Sequence, residues 1–286
     1  MDNRAYDVCW ALLFEEILIQ IFSKLDFESL ISVASVCHSW RSVAHYPECW
    51  DCIQLYHQER FVDNCIKETE ETEKPEYQDR LFKESEYMIR HVGGGVKSIC
   101  VHPIADDTMV QMIADRCPSI ESISLRDCGR ISPAALLNLI RTCKHLKFID
   151  VKFCSAASAS VIQEMGQSCP SLVGLNLGHL RVTEEMSTGI RKFMPKLKWL
   201  NLNSATIYRD VLFSILDSST ELEYVSIRCC HPRLIMDDEL INKARRIEEF
   251  KYTREIYVGL RFPSIRIPAC IRRSHQPDPR RRLPQS

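Results

Sequence analysis

Residues 146–151 read LKFIDV, and the same figure returns as LVGLNL at 172–177, LKWLNL at 197–202 and LEYVSI at 222–227. Upstream it is VKSICV at 96–101 and IESISL at 120–125, and downstream it is IEEFKY at 247–252. Each copy is an anchor, two residues, an apolar residue, one residue and a second apolar or aromatic residue. The anchors are Val96, Ile120, Leu146, Leu172, Leu197, Leu222 and Ile247, so the steps are 24, 26, 26, 25, 25 and 25 residues. Alternation inside each hexamer is the period of a β-strand, so seven short strands are predicted over these ranges. A period in the twenties makes each strand part of a repeated unit that cannot bury its apolar side alone, and such units stack into a solenoid.

Between the strands the apolar spacing changes to three and four. Met109, Val110, Met112 and Ile113, then Leu136, Leu137, Leu139 and Ile140, then Val161, Ile162 and Met165 mark helices of about ten residues. Ser132-Pro133 and Thr183-Glu184-Glu185 supply a cap, a first-turn proline and early acids, the chemistry of a helix start. The helix after Thr183 contains Gly189 and carries the weakest signal. Each unit therefore reads strand, turn, helix, return, the leucine-rich-repeat pattern, and the fold class is α/β.

Composition bounds the rest. With 286 residues, 45% hydrophobic and 26% charged, the chain can bury a core across one or two domains. No apolar run reaches the roughly 18 residues of a membrane span, and the acids in MDNRAYDVCWALLFEE at 1–16 are wrong for a signal peptide. Cytoplasm, nucleus or both are the expected compartments. The net charge of −1 divides unevenly: eight arginines against Glu255 and Asp278 give +6 from Arg254 onward, leaving −7 for residues 1–253.

Fourteen cysteines would suggest a disulfide scaffold in a short secreted chain. Here the repeat accounts for many of them. Cys117, Cys143 and Cys169 sit three residues before an anchor, and Cys128, Cys154 and Cys230 sit eight after one. Those positions call for a small buried side chain, so reduced core thiols are expected.

The N-terminal segment has its own pattern. Leu13, Ile17, Leu18, Ile21, Phe22 and Leu25 share one helical face, and after Asp26-Phe27-Glu28 a second face carries Leu30, Val33, Ala34, Cys37 and Trp40. Three short helices in about forty residues bury too little surface to stand alone, so they lean on the solenoid, on a partner, or on both. The stretch 12–50, with Glu16-Ile17-Leu18, Ile21-Phe22-Ser23, Leu25, Leu30, Val36-Cys37, Trp40-Arg41, Ala44 and Trp50 in order, resembles an F-box. An F-box followed by cysteine-type repeats is similar to the F-box/LRR family, and the CPS wording at 117–119 and 169–171 looks closest to its plant members.

That resemblance implies a fold and a role. The fold is a three-helix F-box followed by a right-handed α/β leucine-rich-repeat solenoid of about seven repeats. The role is substrate receptor of an SCF ubiquitin ligase, with the F-box on a Skp-type adaptor attached to a cullin–RING core and the repeats on a protein substrate. It implies that Leu13, Phe14, Ile17, Leu18, Ile21, Phe22, Leu25, Leu30, Val36, Trp40 and Trp50 serve the adaptor. One departure is clear: the family usually has Leu-Pro at the start of the first helix, where this chain has Leu13-Phe14. The alternative role is a non-ligase interaction scaffold in which these helices only cap the solenoid.

The domains expected are an F-box at 8–55, a charged linker or helical cap at 56–92, repeats at 93–252, a C-terminal cap at 253–268 and a disordered basic tail at 269–286. Within each strand the third, fifth and seventh positions point away from the helices. They carry aromatics (Phe148, Trp199, Tyr224), a polar column (Asp150, Asn176, Asn201) and a basic column (Arg126, Lys152, Arg228). Aromatics and arginine dominate interface energetics, so these nine are the expected substrate-binding residues on an open surface, for an acidic or phosphorylated segment.

Catalytic chemistry finds no support. Cys49-Trp50-Asp51-Cys52 is a C-x-x-C outside the strand-to-helix context of a redox site and without the second pair that zinc needs. GGGVKS at 93–98 lacks a glycine before Lys97 and precedes a strand, unlike a phosphate loop. No cofactor, metal site, membrane contact or nucleic-acid role is read, and the arginines at 272–273 and 280–282 are read as a soluble tail rather than an import signal.

Overall fold

The computed structural model describes residues 13–25, 27–44, 46–50, 52–55, 82–83, 86, 89–90, 96–101, 103–228, 230, 234 and 236–252. Residues 56–81 of the expected linker or cap at 56–92, the glycines at 93–95, the C-terminal cap at 253–268 and the basic tail at 269–286 lie outside these residues.

Three short helices come first: α1 (Glu15–Phe22), α2 (Phe27–Ala34) and α3 (His38–Ala44). Leu18 and Phe22, four apart on α1, turn inward with Leu30, Val43 and Ala44, and all five are buried. The Phe22 ring meets Trp40 edge-on with centroids 5.5 Å apart, the orientation that aromatic quadrupoles favour. Arg41 Nε donates to the Ala34 carbonyl at 3.1 Å, satisfying an end group of α2.

A 3-10 turn (Pro47–Trp50) then leads into β1 (Cys52–Leu55). This strand pairs in parallel with β2 (Ser98–Val101), Cys52 opposite Ser98. The sheet continues through β3 (Ser122–Ser124), β4 (Phe148–Asp150), β5 (Gly174–Asn176), β6 (Trp199–Asn201), β7 (Tyr224–Ile227) and β8 (Glu249–Tyr252). Among the described residues eight strands run in sequence order, all parallel. Six helices follow β2 to β7: α4 (Asp107–Arg116), α5 (Pro133–Thr142), α6 (Ala159–Ser168), α7 (Glu184–Phe193), α8 (Arg209–Ser218) and α9 (Asp238–Ala244). The α/β solenoid is the fold the repeat predicts, with one strand more than the repeat count.

Register explains the core. Ile99, Ile123, Ile149, Leu175, Leu200, Val225 and Phe250 form one row across the sheet, buried against the helices. The anchors join the same cluster. The strands open two residues after their anchors, because the anchor lies in the turn that brings the chain back from the helix.

Helix starts follow the caps. Asp106, Ser132, Thr183 and Asp237 each accept a hydrogen bond from the backbone N–H three residues on. Helix α7 forms over ten residues despite Gly189, and the glycine has a use. A Cβ there would lie 3.4 Å from the Gln163 backbone nitrogen, so α7 sits against α6 with almost no side chain between them.

Cys49, Cys117, Cys128, Cys143, Cys154 and Cys169 are buried and form no disulfide. Cys143 Sγ faces the Cys117 carbonyl at 3.8 Å, Cys169 Sγ faces the Cys143 carbonyl at 3.7 Å, and Cys154 Sγ faces the Cys128 carbonyl at 3.8 Å. Each repeat thus lends a weak donor to a carbonyl of the repeat before it. Farther along, Ser219 and Ala244 occupy the cysteine position. There Arg246 takes over, donating to the carbonyls of Leu216, Ser219 and Thr220 at the end of α8.

Candidate functional site

Helix α1 has two faces, and the structure divides the eleven expected adaptor residues between them. Leu18, Phe22 and Leu30 point into the core, while Leu13, Leu25 and Trp40 are half-buried against it. Phe14, Ile17 and Ile21 stand on the outer face, 75%, 43% and 41% exposed, and Val36 just past α2 is exposed as well. Spacings of three and four put Phe14, Ile17 and Ile21 in one stripe. Trp50 closes the 3-10 turn, and its side chain lies outside the described residues. Phe14 is the N-cap of α1 and makes no side-chain cap hydrogen bond. The departure from proline therefore leaves an exposed aromatic ring at the start of the helix.

The strand face away from the helices differs from the open surface the sequence suggests. Phe148, Trp199 and Tyr224 are only 5%, 3% and 8% exposed, yet they stand outside the core cluster. They line up across β4 to β7 with Gly174 between Phe148 and Trp199. The Phe148 ring lies across Gly174, where a Cβ would meet it at 2.2 Å. Trp199 stacks on Tyr224 with centroids 5.3 Å apart, and Lys251 Nζ sits 4.9 Å from the Tyr224 ring centre. Trp199 and Tyr224 are spent on each other, and Phe148 on the neighbouring glycine, across the strands.

The polar column also has internal work. Asp150 Oδ1 accepts from the Lys152 N–H at 3.2 Å, Asn176 Oδ1 from the Gly178 N–H at 3.0 Å, and Asn201 Oδ1 from the Asn203 N–H at 2.9 Å. Each is an Asx-type turn that bends the chain as it leaves a strand. In the next repeat Asn203 Oδ1 accepts from the Arg228 N–H at 2.8 Å. Arg126 is buried, and its Nε donates to Asp150 Oδ2 at 2.6 Å. Lys152 and Arg228 are half-buried beyond the strand ends.

One residue past the basic column the chain turns left-handed. Asp127, Phe153, His179 and Ser204 have φ of 56°, 58°, 60° and 57°. Phe153 is nonetheless 41% exposed. Its ring stacks on His179 with centroids 3.7 Å apart and planes at 23°, and Lys152 Nζ lies 5.5 Å from the Phe153 ring centre. Burial, aided by the Lys152 charge, holds the His179 imidazole down at about 4, so the ring is neutral near pH 7. Burial pushes the Asp127 carboxyl up, with Lys152 and Arg126 pulling the other way. The sequence reading missed Phe153 and His179. Their shared position seven residues after the anchors Leu146 and Leu172 was visible, but neither is a glycine or asparagine that would have marked a left-handed turn.

Burial pushes the Cys49 thiol up to about 11, with Glu48 adding to the effect, the opposite of what a reactive thiolate needs. Among the described residues no group of three His, Cys, Asp or Glu side chains could hold a metal ion, and no helix is long and apolar enough to cross a membrane.

Residues 10–55 match the family described as F-box-like. F-box protein SKIP1 of Arabidopsis thaliana is 24% identical over 241 residues, covering 77% of this chain and 79% of that protein. Putative F-box/LRR-repeat protein 9 of the same plant is 25% identical over 229 residues, covering 77% of this chain and 87% of that one. The solved structure of the Rad7 and Elc1 complex in yeast aligns over 55% of this chain and 42% of that chain, with a TM-score of 0.47 and 17% identity. With an F-box-like segment running through a single turn into a leucine-rich-repeat sheet, the chain resembles the F-box/LRR-repeat proteins of Arabidopsis.

Proposed function

We propose that this chain is the substrate-recognition subunit of an SCF-type E3 ubiquitin ligase. The observation that carries the reading is the stripe of Phe14, Ile17 and Ile21, exposed on α1 inside the F-box-like segment. Apolar side chains of this size in one stripe are costly to leave in water, and burial of each against a partner contributes on the order of 1 kcal/mol or more. The Skp-type adaptor is the partner that the F-box relatives suggest, with a cullin–RING core beyond it. The chain supplies no acid, base or nucleophile in this scheme. It raises the effective concentration of substrate lysines near a charged conjugating enzyme. Cytoplasm and nucleus are the compartments that fit.

The test is capture of a purified Skp-type adaptor by the full chain and by an Ile17→Asp/Ile21→Asp variant. Both side chains are exposed already, so circular dichroism should be unchanged while capture falls at least tenfold. A parent chain that captures no adaptor would sink the proposal and favour the scaffold reading, in which α1 to α3 only cap the sheet.

A further inference from the structure

We propose that the strand-exit edge of β4 and β5, formed by Lys152, Phe153, Gly178 and His179, is the surface that holds the partner protein, and that it takes an acidic segment bearing an aromatic side chain. This rests on the receptor reading above and gives it a place and a chemistry.

Four observations converge on this edge. Phe153 holds a left-handed backbone at φ 58° that a bulky side chain resists, and it still presents its ring to solvent. The stack on His179 is the packing return the ring makes, and 41% of the residue still stays in water, so strain kept at this exposed aromatic residue points to use. The ring is not alone, because the neutral His179 imidazole lies flat against it at 3.7 Å and extends the platform.

Gly178 keeps the neighbouring ground low. A Cβ there would lie 3.0 Å from the Asn203 carbonyl oxygen, 3.2 Å from Asn176 Oδ1 and 3.4 Å from Lys152 Cγ, so Lys152 and Asn176 approach each other across it. Beneath, the Asn176 amide nitrogen is buried and has no hydrogen-bond partner. A buried donor left unmet is costly, and a carboxylate arriving at this edge would bring the acceptor it lacks.

Charge selects the partner. Along the strand exits at 126–131, 152–158, 178–183, 203–208 and 228, the ionised residues are Arg126, Asp127, Arg130, Lys152, Arg181 and Arg228. Arg126 is spent on Asp150. Arg130, whose backbone bridges to Asp106, and Lys152, Arg181 and Arg228 outnumber Asp127 along these stretches, and burial pushes the Asp127 carboxyl toward its neutral form. A basic edge with one flat aromatic platform suits carboxylates beside an aromatic ring. The strand centres, where Phe148, Trp199 and Tyr224 are buried, offer less to a partner.

The experiment pans a random twelve-residue peptide library on the full chain, then measures an enriched peptide by fluorescence anisotropy. The expected sequences are net negative and contain Phe, Tyr or Trp. Their affinity should fall at least tenfold in Phe153→Gly and in Lys152→Met, and hold in Tyr208→Ala, which removes another exposed ring. Phe153→Gly relieves the backbone, so its thermal midpoint should not drop, which separates lost binding from lost folding. A library without enriched sequences, binders indifferent to both substitutions, or a labelled single-stranded oligonucleotide that binds in their place would each overturn the proposal. Adaptor capture is scored in parallel. Its failure with peptide binding intact sinks the ligase reading and leaves this edge standing.

Discussion

At Phe153 the usual order of glycine and alanine should invert. An L-residue in the left-handed region costs about 1–2 kcal/mol, and glycine there costs nothing. Against that, glycine gives the unfolded chain extra freedom that costs about 0.5–1 kcal/mol relative to alanine. With φ at 58°, Phe153→Gly should therefore be more stable than Phe153→Ala by roughly 0.5–1 kcal/mol. Both variants lose the stack on His179, an aromatic pair contributing about 0.5–1.5 kcal/mol. For alanine nothing offsets that loss, so it should fall below the parent. For glycine the relieved strain roughly cancels it, leaving the variant near parental stability. Urea unfolding reads the difference as a gap of a few tenths of a molar or more between the two midpoints, with matching slopes. His179, at φ 60°, should give the same order. An alanine variant as stable as glycine at position 153 would refute the strain, and with it the main reason for reading this residue as functional.

Three further outcomes follow from packing and burial. Gly166→Ala should destabilise by about 1–2 kcal/mol, because the overpacking outweighs the helix gain where a Cβ meets Phe193 Cβ at 2.5 Å and its backbone at 2.9 Å. Gly189→Ala, with nothing nearer than 3.4 Å, should instead be neutral or stabilise by up to about 1 kcal/mol, and thermal melts of the pair test the contrast. Burial pushes the Cys117 thiol to about 11 and the Cys143 and Cys169 thiols to about 12. Iodoacetamide at pH 8 should then leave all three unlabelled in native protein and label them in urea, and fast native labelling detected by mass spectrometry would contradict their burial. The His179 imidazole is held at about 4 in the fold against about 6.5 when unfolded. Between those values the unfolded chain binds the extra proton, so stability is lost as pH falls from about 6.5 toward 4; His179→Phe should flatten that loss in urea midpoints taken across the window.

The sheet was legible because its signal is local and repeated. Each hexamer carries its anchor and alternating apolars, and seven copies fix register without any contact being known. Strand β1 carries no such signal. Cys52–Leu55 is four residues long, lacks an anchor, and pairs with a strand that starts at Ser98, so only the folded sheet reveals it. The outward columns were legible as positions but not as environments. Trp199 stacks on Tyr224, and Phe148 lies across a neighbouring glycine; both depend on which side chain the adjacent strand offers. Phe153 and His179 were invisible for a different reason, since the left-handed turn is imposed by the Asx bonds of Asp150 and Asn176 just before it, whatever residue follows.

Continuity between the two halves bears on how a receptor of this kind would work. Presentation of a substrate by proximity needs a fixed relation between the adaptor and the substrate surface, since a loose joint spreads the same residues over a larger volume. Here the 3-10 turn of Pro47–Trp50 is followed by β1 after one residue, and β1 is locked in register to β2. Leu18, Phe22 and Leu30 belong to the same buried cluster as Val96 and Ile99. At about 4.8 Å between neighbouring strands, β4 and β5 lie roughly 14–19 Å along the sheet from β1. The proposed acidic-segment platform then stands at a set distance from the Phe14–Ile21 stripe. Flexible residues inserted at Asp51 should leave adaptor capture and peptide binding intact and slow ubiquitin transfer to a bound substrate in the reconstituted ligase. Transfer at the parental rate would mean that the rigid joint has no part in the mechanism.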